Sequence, residues 1–422
     1  MMNDKEQQGL KSKEAYLKEG AIHFATPEFM PNISLFISVL LFITLFDISI
    51  TGDSLTRLIH LTNCVICLVY CINNKKFLSG FRKRVAALLF LFLTEMIIST
   101  ALFGEDGYVK AAAVQAFIII TFFLTAECLS RINIQNLFRG ALYVSGVLIL
   151  INDILMIVWP AKFYGQNDDF YIGTFLLGNK FKVGYAHLFF LIFLAFSLKV
   201  DYYFHLKMAV ASLVLVAVCI YVKCSTIALG GLYLFLIMLL YPWIKRVVIS
   251  KFWMVLLYSS SAAFPVLYTA VVNVSAVKFI IVDVLHRNIT LTGRTNVYPV
   301  IGETVKESPL FGHGFESTII TEKTFDGWHG YSNVQNGFLD IVINYGVIGA
   351  ILFTALVAFL IFMAIRKNTD RKLHAINIAL LALQVLMIIG TVEISYRYQF
   401  FVFLALLGTA TNTFENDRSL HK

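Results

Sequence analysis

The sequence predicts an all-α, polytopic integral membrane protein of about twelve transmembrane helices, with a large late extracytoplasmic loop containing short amphipathic helices. Three observations lead there. The chain of 422 residues is 58% hydrophobic and 14% charged, with mean hydropathy +0.76, outside the soluble globular range. Its apolar residues fall in runs close to the roughly 20 that a helix needs to cross a bilayer. Its net charge of +8 gathers in the short links "NNKKFLSGFRKR" (73–84), "IKR" (244–246) and "RKNTDRK" (366–372), a positive-inside pattern rather than a nucleic-acid footprint.

Residues 1–32 are polar and read as a cytoplasmic segment, with insertion expected to use the first membrane helix rather than a cleaved leader. A single transmembrane domain then covers 33–413. Its candidate spans are approximately 33–51, 55–73, 85–104, 109–130, 140–160, 183–200, 206–223, 225–243, 250–273, 336–365, 373–392 and 397–413, and 414–422 is a tail. If 73–84 is cytoplasmic, alternation puts 131–139, 244–249 and 366–372 there as well, and each carries basic residues. Both termini are then cytoplasmic.

On the outer side two connections are long, 161–182 and 274–335, and long loops in compact proteins usually carry function. In the second, "RTNVYPVIGETVKESPLFGHG" (294–314) reads as a short helix with Val297, Val300, Ile301 and Val305 on one side and Glu303, Lys306 and Glu307 off it. That pattern predicts a helix flat on the membrane surface, ended by Pro309 and the turn "FGHG".

Polar groups at membrane depth need a cavity or a partner. Asp47, Glu95, Glu127, Asp153, Asp340 and Glu393 fall inside the spans, Glu95 nearest a span's middle. Taken singly, a carboxylate at a span edge or in an interhelical hydrogen bond accounts for them. The six cysteines lie in or beside apolar runs; Cys64, Cys67 and Cys71 share a helical face but have no His or carboxylate among them, so packing is expected rather than metal.

Asn336, Asp340 and Asn344 recur at four-residue spacing, a polar stripe with Asn333 and Gln335 just before it, expected to border a wet cavity. Arg294 puts a permanent cation before the amphipathic helix, and guanidinium suits phosphate through its planar fork. Lys180 and Lys182 stand on the side where positive-inside statistics disfavour them, and Lys223 lands near the outer boundary. Headgroup anchoring by snorkelling would explain such lysines; so would an anionic substrate.

"TGRTNVYPVIGETVKESPLFGHGF" followed by "SNVQNGFLDIVINYGVIGAI" resembles the Wzy-type polysaccharide repeat-unit polymerases, in the superfamily that contains the O-antigen ligases. Upstream, "FLLGNKFKVGYAHLF" looks like that family's stretch before its middle spans. The resemblance implies an inverting, metal-independent glycosyltransferase, without cofactor, on the outer face of a bacterial plasma membrane. It would serve capsule, exopolysaccharide or O-antigen synthesis, moving a growing glycan from undecaprenyl diphosphate to the next lipid-linked repeat. A chain-length regulator and a flippase are its implied partners. Arg294 would bind the donor diphosphate, with Lys180, Lys182 or Lys223 assisting. Gln335, Asn336 and Asp340 would order the sugar or the loop. The acceptor hydroxyl needs a base, for which His329, Asp326 and Glu316 are unranked candidates and His313 a weaker one.

Two departures bear on the assignment. Ligases of the superfamily, and some polymerases, place a His where this chain has Gln335, and the arginine often seen at the outer end of the middle spans is no clearer here than Lys223. A ligase moving the finished glycan to another acceptor is one rival. A lipid-linked sugar flippase or transporter is the other, though a transporter concentrates polar groups near the midplane.

Overall fold

The computed structural model describes residues 33–46, 53–74, 83–105, 108–159, 175–198, 203–222, 224–284, 289, 297–324, 334 and 336–366. Among these there are helices and turns and no strand, only an isolated bridge between Phe175 and Gly178.

The helices are α1 (Ile33–Ile43), α2 (Asp53–Asn73), α3 (Lys83–Phe103), α4 (Tyr108–Val158), α5 (Lys180–Ser197), α6 (Phe204–Tyr221) and α7 (Ser225–Val248). Then follow α8 (Lys251–Ala262), α9 (Phe264–Val271), α10 (Ser275–Phe279, continued by a π turn Ile280–Val284), α11 (Tyr298–Glu307), α12 (Ile319–Thr324) and α13 (Gly337–Arg366). Seven of the described helices, α2 to α7 and α13, are long and apolar enough to cross a membrane. They expose large apolar side chains such as Leu102, Ile157 and Ile351, as lipid-facing helices do. The chain is a multi-pass membrane protein.

The seven helices and the predicted dozen differ for identifiable reasons. Helix α4 holds two predicted spans: its 51 residues, at about 1.5 Å each, would run more than twice the bilayer core. Its backbone breaks at Asn133 (φ −160°, ψ 95°), whose side chain accepts from the Asn136 amide as an N-cap does. The predicted span 250–273 is divided into α8 and α9, with a proline in the first turn of α9, where a missing amide costs nothing. Helix α1 is too short to span alone, and predicted spans 373–392 and 397–413 lie outside the described residues.

The chain divides into two compact units, one of residues 1–56 and 132–244, the other of 57–131 and 245–422. In the first, α1 packs against the second half of α4: Ser38 donates to the Leu137 carbonyl at 2.8 Å, and a Cβ on Gly140 would fall 2.3 Å from the Ser38 hydroxyl. Helix α5 is the most enclosed, with Phe193 edge-on to Phe42 and Phe196 stacked on Phe138. In the second unit α3 and α13 form the main pair, Phe92 lying between Tyr345 and Phe353. Cys64, Cys67 and Cys71 are all buried here, and the Cys71 thiol lies 3.5 Å from the Thr125 hydroxyl. Small residues and aromatic edges at such crossings replace the hydrophobic effect, which lipid does not supply.

Candidate active site

In the second unit the segment 297–324 is held by a break in α13. At Gly346 the backbone turns to φ 60°, ψ −165°, which frees carbonyls above it and amides below it inside the protein. The "PLFGHG" segment supplies the partners. His313 and Gly314 amides donate to the Ile343 and Asn344 carbonyls at 2.9 and 2.8 Å, while Val347 and Ile348 amides donate to the Pro309 and Leu310 carbonyls at 2.9 and 3.3 Å.

Helix α3 closes the clasp. The Ser99 hydroxyl lies 2.5 Å from the Phe311 carbonyl and 2.8 Å from that of Asn344, and the Thr100 hydroxyl accepts from the Phe315 amide. Gly312 and Gly346 have positive φ, and a Cβ on either would sit within 2.5 Å of facing backbone. Glycine is therefore required on both sides of the contact.

The polar stripe at the head of α13 is buried and bonded to the chain's own backbone. The Asn336 side chain accepts from the Phe338 and Leu339 amides as N-cap and donates to the Ser261 carbonyl at the end of α8, 2.9 Å away. Asp340 accepts from the Val334 amide at 2.8 Å. Between them these two side chains fix both neighbours of Gln335, which itself lies outside the described residues.

Above this, α11 and α12 pack on α13. The apolar side of α11 is as expected, but protein covers it rather than lipid: Val297 joins Ile320, Val334 and Ile343 in a buried cluster that Ile301 and Val305 adjoin. The expected flat seat on the membrane is thus replaced by a seat on the chain, and the helix ends before Pro309 as anticipated. His313 bonds through Nε2 to the Thr304 carbonyl at 3.0 Å, so this nitrogen donates and the residue ties the docked segment back to α11. Glu316 is exposed and holds φ 52°, the one non-glycine residue with positive φ among those described. Such strain commonly marks a working site.

Lys323 reaches Glu307 across α11 and α12 at 2.6 Å, and this hydrogen bond holds the Glu307 carboxyl below its usual range. A carboxylate depressed on folding stabilises above its ordinary value near 4 and stops doing so as pH falls through the depressed value. Amide protection across 298–324, taken relative to intrinsic exchange at each pH, should therefore be unchanged between pH 8 and 5 and fall below about pH 4, and Lys323→Met should remove that acid-dependent loss.

In the first unit, Asn179 caps α5 through bonds from the Phe181 and Lys182 amides, after a tight turn in which Phe175 and Gly178 exchange both backbone bonds. Lys180 and Lys182 occupy the first helical turn, where the dipole disfavours cations. The Lys180 ammonium lies 5.5 Å from the Phe181 ring centre, and the Lys182 stem lies over Gly178.

Sequence reasoning singled out Asp153 but missed its partner: His187 Nε2 lies 3.1 Å from Asp153 Oδ2. Glu127, buried within α4, pairs with Arg131 at 2.8 Å one turn along the same helix, and Glu95 is buried facing the α3–α13 contact near Gly349. Of the other candidates, Arg294, His329, Asp326, Gln335 and Lys223 lie outside the described residues, as do Asp47 and Glu393. Among the described residues no group of three His, Cys, Asp or Glu has the arrangement of a metal site.

No curated protein matches the chain. The match that exists lies over this region: residues 208–354, from early α6 through the clasp at Gly346, match the family model described as O-antigen ligase, Wzy_C. Over that segment the chain is similar to the family of O-antigen ligases.

Proposed function

We propose that the protein is a repeat-unit polymerase: it transfers a growing glycan from undecaprenyl diphosphate to the terminal sugar of the next lipid-linked repeat, on the outer face of a bacterial plasma membrane with both termini inside. The observation that carries this reading is the coincidence of the family match with the candidate residues. Every one of them except Lys180 and Lys182 falls within 208–354. Members of the family are glycosyltransferase-like enzymes of glycan assembly acting on lipid-linked glycans.

In the proposed reaction an acceptor hydroxyl attacks the anomeric carbon of the donor sugar as the bond to the diphosphate oxygen breaks, inverting that carbon. The hydroxyl proton goes to a base, for which Glu316, Asp326 and His329 are the candidates. The electron pair of the broken bond stays on the lipid diphosphate, which leaves as an anion. Arg294 stabilises that charge through paired hydrogen bonds, taking the place of a divalent ion.

Asn336 and Asp340 act as positioning residues, since their hydrogen bonds set the chain on either side of Gln335, which orders the sugar. Gln335, where ligases carry a His, favours polymerase over ligase.

The test is direct. Purified protein in detergent, given lipid-linked repeats without nucleotide sugar, ion gradient or, with EDTA present, divalent metal, should lengthen them. Failure to lengthen them, with transfer of a preformed chain to a different acceptor, would assign the ligase activity instead. In cells lacking the protein, single repeats capped onto the final acceptor are expected, whereas accumulated lipid-linked chains would again indicate a ligase.

A further inference from the structure

Left-handed backbone is crowded for any residue with a Cβ, and the described part of the chain otherwise meets it with glycine. Gly178, Gly312, Gly314 and Gly346 hold φ of 97°, 71°, 88° and 60°. Glu316, at 52°, is the exception among the described residues. Glycine or asparagine would take that conformation at less cost, so a glutamate there calls for a reason in its side chain.

The chain on both sides fixes the turn. Before it, Gly314 lies so close to α3 that a Cβ would fall 2.8 Å from the Gly104 Cα and 3.0 Å from the Thr100 Cα. Phe315 is buried, and its amide donates to the Thr100 hydroxyl at 2.9 Å. After it, the Ser317 hydroxyl accepts from the Ile319 amide at 3.3 Å, and the Thr318 hydroxyl reaches the Glu105 and Glu322 carboxyls. Ile320 then joins the buried cluster with Val297, Val334 and Ile343. Residue 316 turns between two anchors, and relaxing it would pull one of them out.

The side chain takes no part in this bonding. Nearby carboxylates are engaged, Glu105 and Glu322 with Thr318 and Glu307 with Lys323. Glu316 is exposed, and among the described residues its carboxylate has neither a hydrogen bond nor an ion pair. A carboxylate on pinned backbone with its oxygens open is equipped to accept a proton from a bound hydroxyl. Backbone strain that the surroundings hold in place gathers at working sites.

We infer that Glu316 is the catalytic base of the transfer. This rests on the reading that the protein moves glycan between lipid-linked substrates, and it narrows the three candidate bases to one. The acceptor O–H bond breaks toward a Glu316 carboxylate oxygen as the hydroxyl oxygen bonds to the anomeric carbon, and the electron pair of the old anomeric bond leaves on the diphosphate. The proton then passes from the carboxylic acid to water, which the exposure of Glu316 allows.

Two substitutions separate the base from the turn. Glu316→Gln keeps the shape and loses the base; Glu316→Gly loses the base and relieves the backbone. With full-length protein in detergent and lipid-linked repeats as substrate, both should lengthen about 10²- to 10⁴-fold more slowly. The loss should fall on kcat and leave KM for the repeat unchanged, since a base acts only in the transition state. Limited proteolysis of 297–324 should be no faster in Glu316→Gly than in the wild type. Sodium formate, but not sodium chloride, should restore part of the Glu316→Gly rate by placing a small carboxylate where the side chain was, and should not help Glu316→Gln, whose amide still fills the place. A wild-type rate in Glu316→Gln overturns the inference. So does formate rescue of Asp326→Gly without rescue of Glu316→Gly. A slow Glu316→Gly that formate leaves unchanged and protease cuts quickly overturns it too, because the residue is then structural. A wild type that extends no lipid-linked repeat overturns instead the reading beneath it.

Discussion

Gly346→Ala should unseat the outer loop and abolish activity while leaving the helices inserted. The new Cβ would lie 2.2 Å from the carbonyl carbon and oxygen of Leu310, and φ of 60° is a conformation that alanine resists. Backbone cannot rotate aside as a side chain can. Relief requires either that α13 straighten or that "PLFGHG" withdraw, and each forfeits the four backbone bonds exchanged at the break. Left without partners at membrane depth, those groups make the cost about 3 kcal/mol or more. The measurement is limited proteolysis of 297–324 in proteoliposomes, with the lengthening rate alongside. A variant with wild-type protease resistance and rate would show that the clasp does not organise the site. Gly302→Ala is the control, since nothing lies within 4 Å of the position where its Cβ would be.

Arg294→Ala should lower the lengthening rate by about 10²- to 10³-fold, the scale on which removal of one preorganised donor to a developing anion is felt. Arg294→Lys should recover part of this: the charge returns, but the ammonium is a point charge and cannot offer two parallel bonds to the diphosphate. If Arg294 binds the leaving group, the loss falls mainly on kcat and grows with the basicity of the leaving group. A solvated surface arginine would leave the rate untouched, and that result would remove the central site assignment. Membrane insertion should be equal for all three proteins.

Hydropathy made the architecture legible because lipid imposes one rule on every segment: bury the backbone in a helix and turn apolar side chains outward. Positions where one helix becomes two were less legible. Asn133 is an ordinary residue at a loop until its side chain caps the second half of α4, and nothing in the composition distinguishes that from a continuous helix. The α11 pattern gave the right apolar face but the wrong neighbour, because periodicity specifies which side is buried and not by what.

The stripe of Asn336, Asp340 and Asn344 was legible as a face turned away from lipid and was expected to border a wet cavity; it is buried instead, with bonds to Ser261 and Val334 that depend on chain brought from elsewhere. Ser99 and Thr100 drew no attention because hydroxyls in an apolar helix usually bond back to their own turn. Their partners lie more than two hundred residues away. His187 escaped for the same reason: its partner is 34 residues distant, and no local spacing announces it.

The clasp also orders events in time. Ser99 is made 212 residues before Phe311 and 245 before Asn344, an interval of roughly 10 to 50 s at ribosomal rates of about 5–20 residues per second. Throughout it α3 already lies in lipid, where an idle hydroxyl is costly, so Ser99 must borrow the carbonyl of Glu95 one turn back. Thr100 already spends its hydrogen on Met96. Arrival of the loop therefore exchanges a partner for Ser99 and adds an acceptor role for Thr100, and release would strand neither group. Assembly at this point is reversible for α3, and the burden of irreversibility falls on α13, whose broken turn has no such fallback.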